Sequence, residues 1–212
     1  MASVSRVATT IVLVRHGETD WNRGRRFQGH ADILLNAAGL AQVRDLAEQL
    51  VGETFSAAYT SPLRRASESA ELLVAKLGVE LRRCDALKEV DVGSWSGLTV
   101  PEVENRFPDG YARWVDWRCA GWEDGETYEE LGERVVEGLL EIAQRHAGTQ
   151  ILAVTHGGPI RAAAAAALRL QLHEVPAELG AVGNCATVRI AVRDGVLEAV
   201  ADRQVEDDTN TS

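Results

Sequence analysis

The sequence predicts an α/β fold, a mostly parallel sheet covered by helices on both faces, with one antiparallel strand near the C-terminus. Three observations carry this. Short β-branched runs alternate with segments of helical periodicity along most of the chain. Two apolar runs, within 9–14 and 149–158, end alike on a histidine followed by glycine. Asp194-Gly195 separates two strand-like runs within 184–202, a hairpin signal.

The elements follow in order. "TTIVLV" (9–14) reads as a buried strand, and 36–52 has helical spacing that ends on Gly52. "AAYTS" (57–61) is a second strand. A helix then starts with Ser61 as cap and Pro62 in its first position, and Gly78 ends it. "VELRRC" (79–84) is a third strand. Thr127 opens a helix to about His146, with Glu130 completing a capping box. The strand in 149–158 leads into a strong helix former, "PIRAAAAAALRL" (159–170). The alternation fails only at 99–126. The 212 residues read as one domain, 1–212, with a cap-like insertion at about 99–126.

Composition limits the partners. The chain is 45% hydrophobic and 25% charged, ordinary for a globular protein. Its net charge of −10 argues against nucleic acid and anionic membrane surfaces. Only Lys76 and Lys88 are lysines, so an anion site would rest on arginines, which grip phosphate with two bonds at once. Cys84, Cys119 and Cys185 are far apart and form no C-x-x-C. They read as reduced thiols, buried small hydrophobes in a cytoplasmic protein. The opening "MASVSRVATTIVLV" is too short and interrupted for a signal peptide or membrane span.

In open α/β sheets, ligands bind outside the carboxyl ends of the strands. Arg15-His16-Gly17 stands at one such end and His156-Gly157 at another. A glycine after each histidine lets the chain turn tightly and a ligand approach. Arg64 lies in the first turn of the helix after "YTS", where the dipole and free amides favour an anion. Two histidines, two arginines and exposed amides make a pocket for a phosphoryl group. Arg15 beside His16 argues against a metal, since a fixed positive charge repels a divalent cation.

The blocks "LVRHGETDWN", "FQGHADILLNAAGLAQV", "SPLRRASESAELL", "LKEVDVGSWSGLT", "DGETYEELGERV" and "VTHGGPIRAAAA" together resemble the histidine phosphatase superfamily, the phosphoglycerate mutase-like proteins. The resemblance runs from about residue 9 to 190. It implies a three-layer α/β/α domain and a phosphohistidine intermediate, with no metal or organic cofactor. Residue by residue, it makes His16 the nucleophile and Glu89 the proton donor. Arg15, Arg64 and His156 become the phosphate clamp, with His156 protonated. Asn22, Gln28, Gly29 and Gly157 complete the substrate contacts. Glu18 and Asp91 are weaker candidates for the acid. Dimers are common in the family, so a homodimer is an open expectation; the sequence shows no decisive interface stripe.

The family divides by what surrounds this core. Mutases that use 2,3-bisphosphoglycerate carry a longer insertion after the proton donor, with a lysine and an Arg-Arg pair. Residues 90–126 hold neither, only Arg106, Arg113 and Arg118 singly. Hydrolysis of a small phosphorylated metabolite is therefore the first expectation and mutase activity the alternative. A non-catalytic phosphate- or phosphoprotein-binding module is a third class, disfavoured because His16 and Glu89 are both present. Trp95, Trp114, Trp117 and Trp122 crowd the same segment. They are either a small core inside the cap or an apolar wall against the leaving group.

Overall fold

A computed structural model describes residues 7–115, 119–175 and 182–200. Six strands form one sheet: β1 (Thr9–Arg15), β2 (Ala57–Thr60), β3 (Leu81–Arg83), β4 (Gln150–Thr155), β5 (Thr187–Arg193) and β6 (Val196–Ala199). Their order is β3-β2-β4-β1-β5-β6. β1 to β4 are mutually parallel, and β5 alone runs against both of its neighbours. The hairpin at Asp194-Gly195 forms as expected, both residues having positive φ (49° and 79°).

Alternation along the strands splits the core in two. Ile11, Leu13, Ile151 and Ala153 face one layer, which is closed by α6 (Tyr128–Arg145) and α7 (Gly157–Leu168). Val12, Val14, Leu152 and Val154 face the other, closed by α2 (Ala37–Gln49) and α3 (Arg64–Leu77). The three-layer expectation holds. α6 starts at the expected capping box, Thr127 with Glu130. Gly78 ends α3 in the left-handed conformation at φ 68°.

One boundary differs. α3 begins at Arg64 with Leu63 as its cap residue, and no side chain caps it. Ser61 instead accepts from the Leu63 amide and bonds His156 across the sheet. A short α1 (Asp20–Arg23), capped by Thr19 and Asn22, also went unpredicted. The segment that breaks the alternation forms α4 (Val100–Arg106) and α5 (Pro108–Val115). Trp117 and Arg118 lie outside the described residues. Cys84 and Cys185 are half-buried as small apolar groups, but Cys119 is exposed, contrary to expectation.

Candidate active site

β1 and β4 are neighbours in parallel register, with Arg15 paired to Thr155. Their ends therefore deliver His16 and His156 side by side, ring centroids 5.1 Å apart. A cavity of about 450 Å³ opens there, within the range of small-molecule sites. Arg15, His16, Asn22, Gln28, Gly29, Glu89 and Gly157 all line it. His156 lies fully buried behind His16.

Arg64 is not there. Its backbone N–H donates to Asp32 at 3.0 Å, and its side chain, 55% exposed, lies 3.9 Å from the same carboxylate. The neighbouring Arg65 takes the place, fully buried and lining the cavity. One helical residue is about 100° of rotation, so adjacent arginines face opposite ways. Arg65 shares the inward face of α3 with Ser69 and Leu73. That face was the signal in the sequence that distinguishes the two arginines.

Each charged group is pinned from behind. Arg65 donates from its Nη atoms to the carbonyls of Ala31 (2.9 Å) and Gly29 (2.8 Å). Arg15 donates through Nη1 to Val182 O at 2.6 Å. His16 Nδ1 lies 2.7 Å from Gly17 O. A carbonyl only accepts, so Nδ1 carries the proton and Nε2 keeps its lone pair. Ser61 Oγ is 2.8 Å from His156 Nε2. Nε2 is the acceptor that the described residues offer to the one Ser61 hydroxyl hydrogen, so the hydroxyl donates to Nε2, which leaves the proton on His156 Nδ1.

Three buried donor atoms at this point have no protein partner: Arg15 Nε, Arg65 Nε and His156 Nδ1. A buried donor left unpaired costs about 1–3 kcal/mol, more when charged. A fourth such atom, Trp95 Nε1, belongs to the aromatic cluster beside the cavity.

Electrostatics follow from burial. Desolvation, then the charges of Arg65 and Arg15, hold the His16 pKa well below 6.5. His156 is lowered well below 6.5 by burial first, then by Arg65, His16 and Arg15. Burial and these cations thus favour the neutral form of His156, where the sequence reading expects it protonated against a phosphoryl group. Burial pushes Arg65 down to about 10, which leaves it charged at neutral pH.

Glu89 stands across the cavity. Its Oε1 accepts from the amides of Val90 (2.9 Å) and Gly158 (3.0 Å). A Cβ on Gly158 would meet that oxygen at 2.3 Å, so a larger residue there must displace the carboxylate. Glu18 and Asp91 are placed otherwise. Glu18 accepts from Asn36, and Asp91 caps the amide of Gly93.

The outer wall was largely missed in the sequence. Phe27, Trp114, Trp122, Tyr128, Leu131 and Leu172 line it, with Arg26 and Arg161 at its edge. The tryptophans divide between a buried core and the cavity lining. Trp95 is fully buried, with Phe27, Trp114 and Trp122 packed against it at 5.2–6.0 Å. Trp114 and Trp122 reach the cavity. Arg113 lies in a separate cavity, bonded to Gly121 O and facing Glu123.

The profile of the histidine phosphatase superfamily (branch 1) matches residues 11–202. The chain belongs to that superfamily. It is 36% identical over 154 residues to an uncharacterized phosphatase, PhoE, of Bacillus subtilis, covering 73% of this chain and 75% of that protein. It is 40% identical over 161 residues to a metal-independent phosphoserine phosphatase of Arabidopsis thaliana, covering 73% and 66%. The solved structure of Bacillus stearothermophilus YhfR superposes with a TM-score of 0.84 at 29% identity, over 92% of this chain and 96% of that one. This histidine phosphatase is accordingly a phosphomonoesterase acting on a small phosphorylated metabolite. Among the described residues no helix is long and apolar enough to cross a membrane.

Proposed function

We propose that the cavity hydrolyses a phosphomonoester on His16, with the phosphoryl group seated on Arg15, Arg65 and His156. The unpartnered donors carry this reading: three buried N–H groups beside one imidazole lone pair suit a tetrahedral dianion. Asn22 fits as a further contact. Its side-chain oxygen already accepts from Thr19, so its amide NH₂ is the end left for a ligand oxygen. Gln28, Gly29 and Gly157 frame the same space.

His16 Nε2 attacks phosphorus as the bond to the leaving oxygen breaks. The departing alkoxide takes a proton from Glu89. Water then attacks the phosphohistidine, Glu89 takes back a proton, and His16 is released with inorganic phosphate. The bonds to Val90 and Gly158 hold Oε1, so Oε2 is the oxygen that exchanges the proton.

α4, α5 and residues 119–126 act as a cap that reads the leaving group. Trp114 and Trp122 offer it an apolar face. Arg161, anchored through Nε to Leu172 O at 3.0 Å, offers it a cation. A short leaving group with a carboxylate fits that pair, and phosphoserine, the substrate that names one relative, has this chemistry.

The test is to incubate the enzyme with labelled phosphoserine, p-nitrophenyl phosphate or a neutral sugar phosphate, then quench it. An acid-labile, base-stable label on His16 is expected, together with turnover that survives EDTA. Isomerisation of 3-phosphoglycerate run alongside should be minor beside hydrolysis. Full turnover by His16→Ala would overturn the assignment.

A further inference from the structure

Residues 86–89 lead to the carboxylate of Glu89 without regular structure after the single 3₁₀ turn Asp85–Leu87. Yet four consecutive carbonyls in this stretch are held. Leu87 O accepts from Thr155 Oγ1 at the end of β4, at 2.7 Å. Ala86 O and Lys88 O accept from Arg134 Nη1 at 2.8 and 2.9 Å. Glu89 O accepts from Arg134 Nη2 at 3.0 Å and is 2.8 Å from His30 Nε2.

Arg134 stands two turns into α6 and has no place in the cavity. Its remaining N–H groups grip Glu126, Nε to Oε1 at 2.5 Å and Nη2 to Oε2 at 2.7 Å. All five guanidinium donors are thereby used. Glu126 in turn ties down the chain just after Glu89: its carboxylate accepts from the Asp91 amide (3.3 Å) and its own amide donates to Asp91 O (2.8 Å). Its carbonyl accepts from Nε1 of Trp122, a wall residue of the cavity, at 2.8 Å.

The pair is mostly buried, with side chains 25% and 14% exposed. A buried ion pair adds little net stability over an apolar replacement, because desolvating both charges offsets their attraction. This one does something else: it fixes the backbone on both sides of the acid.

We infer that Arg134 and Glu126 are positioning residues for the proton donor, setting where the Glu89 carboxylate meets the leaving oxygen and locking that position to the Trp122 wall. The inference rests on the assignment of Glu89 as the acid. Lysine cannot replace Arg134, since one ammonium cannot span three carbonyls and a carboxylate.

The experiment measures kcat and KM for Arg134→Lys, Glu126→Gln, Glu89→Gln and the Arg134→Lys/Glu89→Gln double variant. Each acts on p-nitrophenyl phosphate, whose leaving group needs no proton, and on phosphoserine, whose alkoxide does. Arg134→Lys should lower kcat/KM for phosphoserine, which reports phosphoryl transfer up to departure of the leaving group, by about 10–100-fold, the scale of a misplaced group. For p-nitrophenyl phosphate kcat/KM should stay near wild type, while kcat also carries the Glu89-assisted hydrolysis of phosphohistidine that both substrates share. In the Glu89→Gln background the same change should cost nothing further. Glu126→Gln, which keeps the side-chain shape, should show the same pattern more weakly, and it decides the question should Arg134→Lys not fold.

Equal losses of kcat/KM on both substrates, or a loss of kcat/KM that multiplies with Glu89→Gln, would reduce the pair to a structural role. If Glu89→Gln shows leaving-group dependence and neither clamp variant does, this inference alone falls. If Glu89→Gln shows none, the acid assignment fails and the inference falls with it.

Discussion

At the floor of the cavity, Arg15, Arg65 and His156 are buried polar groups, each tethered by a carbonyl or a hydroxyl and each with a buried nitrogen that finds no partner among the described residues. Along the wall, Phe27, Trp114 and Trp122 are rings packed on Trp95, with no charge to place. The floor rests on two adjacent parallel strands and the first turn of α3. The wall rests on short helices and turns outside the sheet. On the proposed function, the floor holds only the phosphoryl group that every phosphomonoester shares. Selectivity would then come from the wall, where a repacked ring alters fit without disturbing the floor.

The sharpest way to break this contrast is at the two arginines. Arg65→Gln should lower kcat/KM by about 10²–10³-fold on every substrate, the scale for losing one transition-state donor. Arg64→Gln should leave steady-state kinetics nearly unchanged, since that side chain is exposed beside Asp32. The reverse result would return the clamp to Arg64.

Gly158→Ala tests the floor through geometry alone. The added methyl would strike Glu89 Oε1 and displace the carboxylate. A loss of about 10²-fold in kcat/KM is expected, concentrated on poor leaving groups. A folded variant with equal losses of kcat/KM on phosphoserine and p-nitrophenyl phosphate would mean that Glu89 does not act as the acid.

The wall should respond more gently. Trp114→Ala should change the ranking of substrates by about 10-fold, the range for apolar pocket contacts, while the label on His16 still forms. An unchanged ranking accompanied by a lower Tm would make Trp114 only packing.

The smallest effect is on stability. His16 and His156 have folded pKa values well below 6.5. As pH falls through 6.5, the unfolded chain binds protons that the folded chain refuses, so stability decreases. Calorimetry between pH 7.5 and 5 should show Tm falling on the acid side of 6.5, with a shallower fall for His156→Gln. His146, also lowered, contributes to the same window in both proteins. A wild-type Tm that is level from pH 7.5 to 5 would contradict the burial of neutral imidazoles.

Much of the floor is legible in the chain. "VLVRHG" and "AVTHGG" each show an apolar run that stops at a histidine and a turn residue, and parallel pairing brings such ends together. The capping box at Thr127 and the Asp194-Gly195 hairpin are local signals whose chemistry lies within a few residues. The Arg64–Arg65 pair shows where locality stops. Both arginines open the same helix; Arg65 shares a face with Ser69 and Leu73, and only the packing of α3 on the sheet makes that face the inward one.

Glu89 is named only by the resemblance to the family, whereas the sequence by itself determined the alternating α/β plan and the two strand-end histidines. Those follow from periodicity, turn chemistry and short motifs, all of which act between near neighbours. Only the tertiary structure decided the rest: Arg65 over Arg64, a neutral His156, Trp114 and Trp122 on the wall with Trp95 beneath, and Arg134 holding the acid from eight residues past Glu126. Each of those depends on burial and on partners far along the chain, and desolvation and packing have no signature until the layers close.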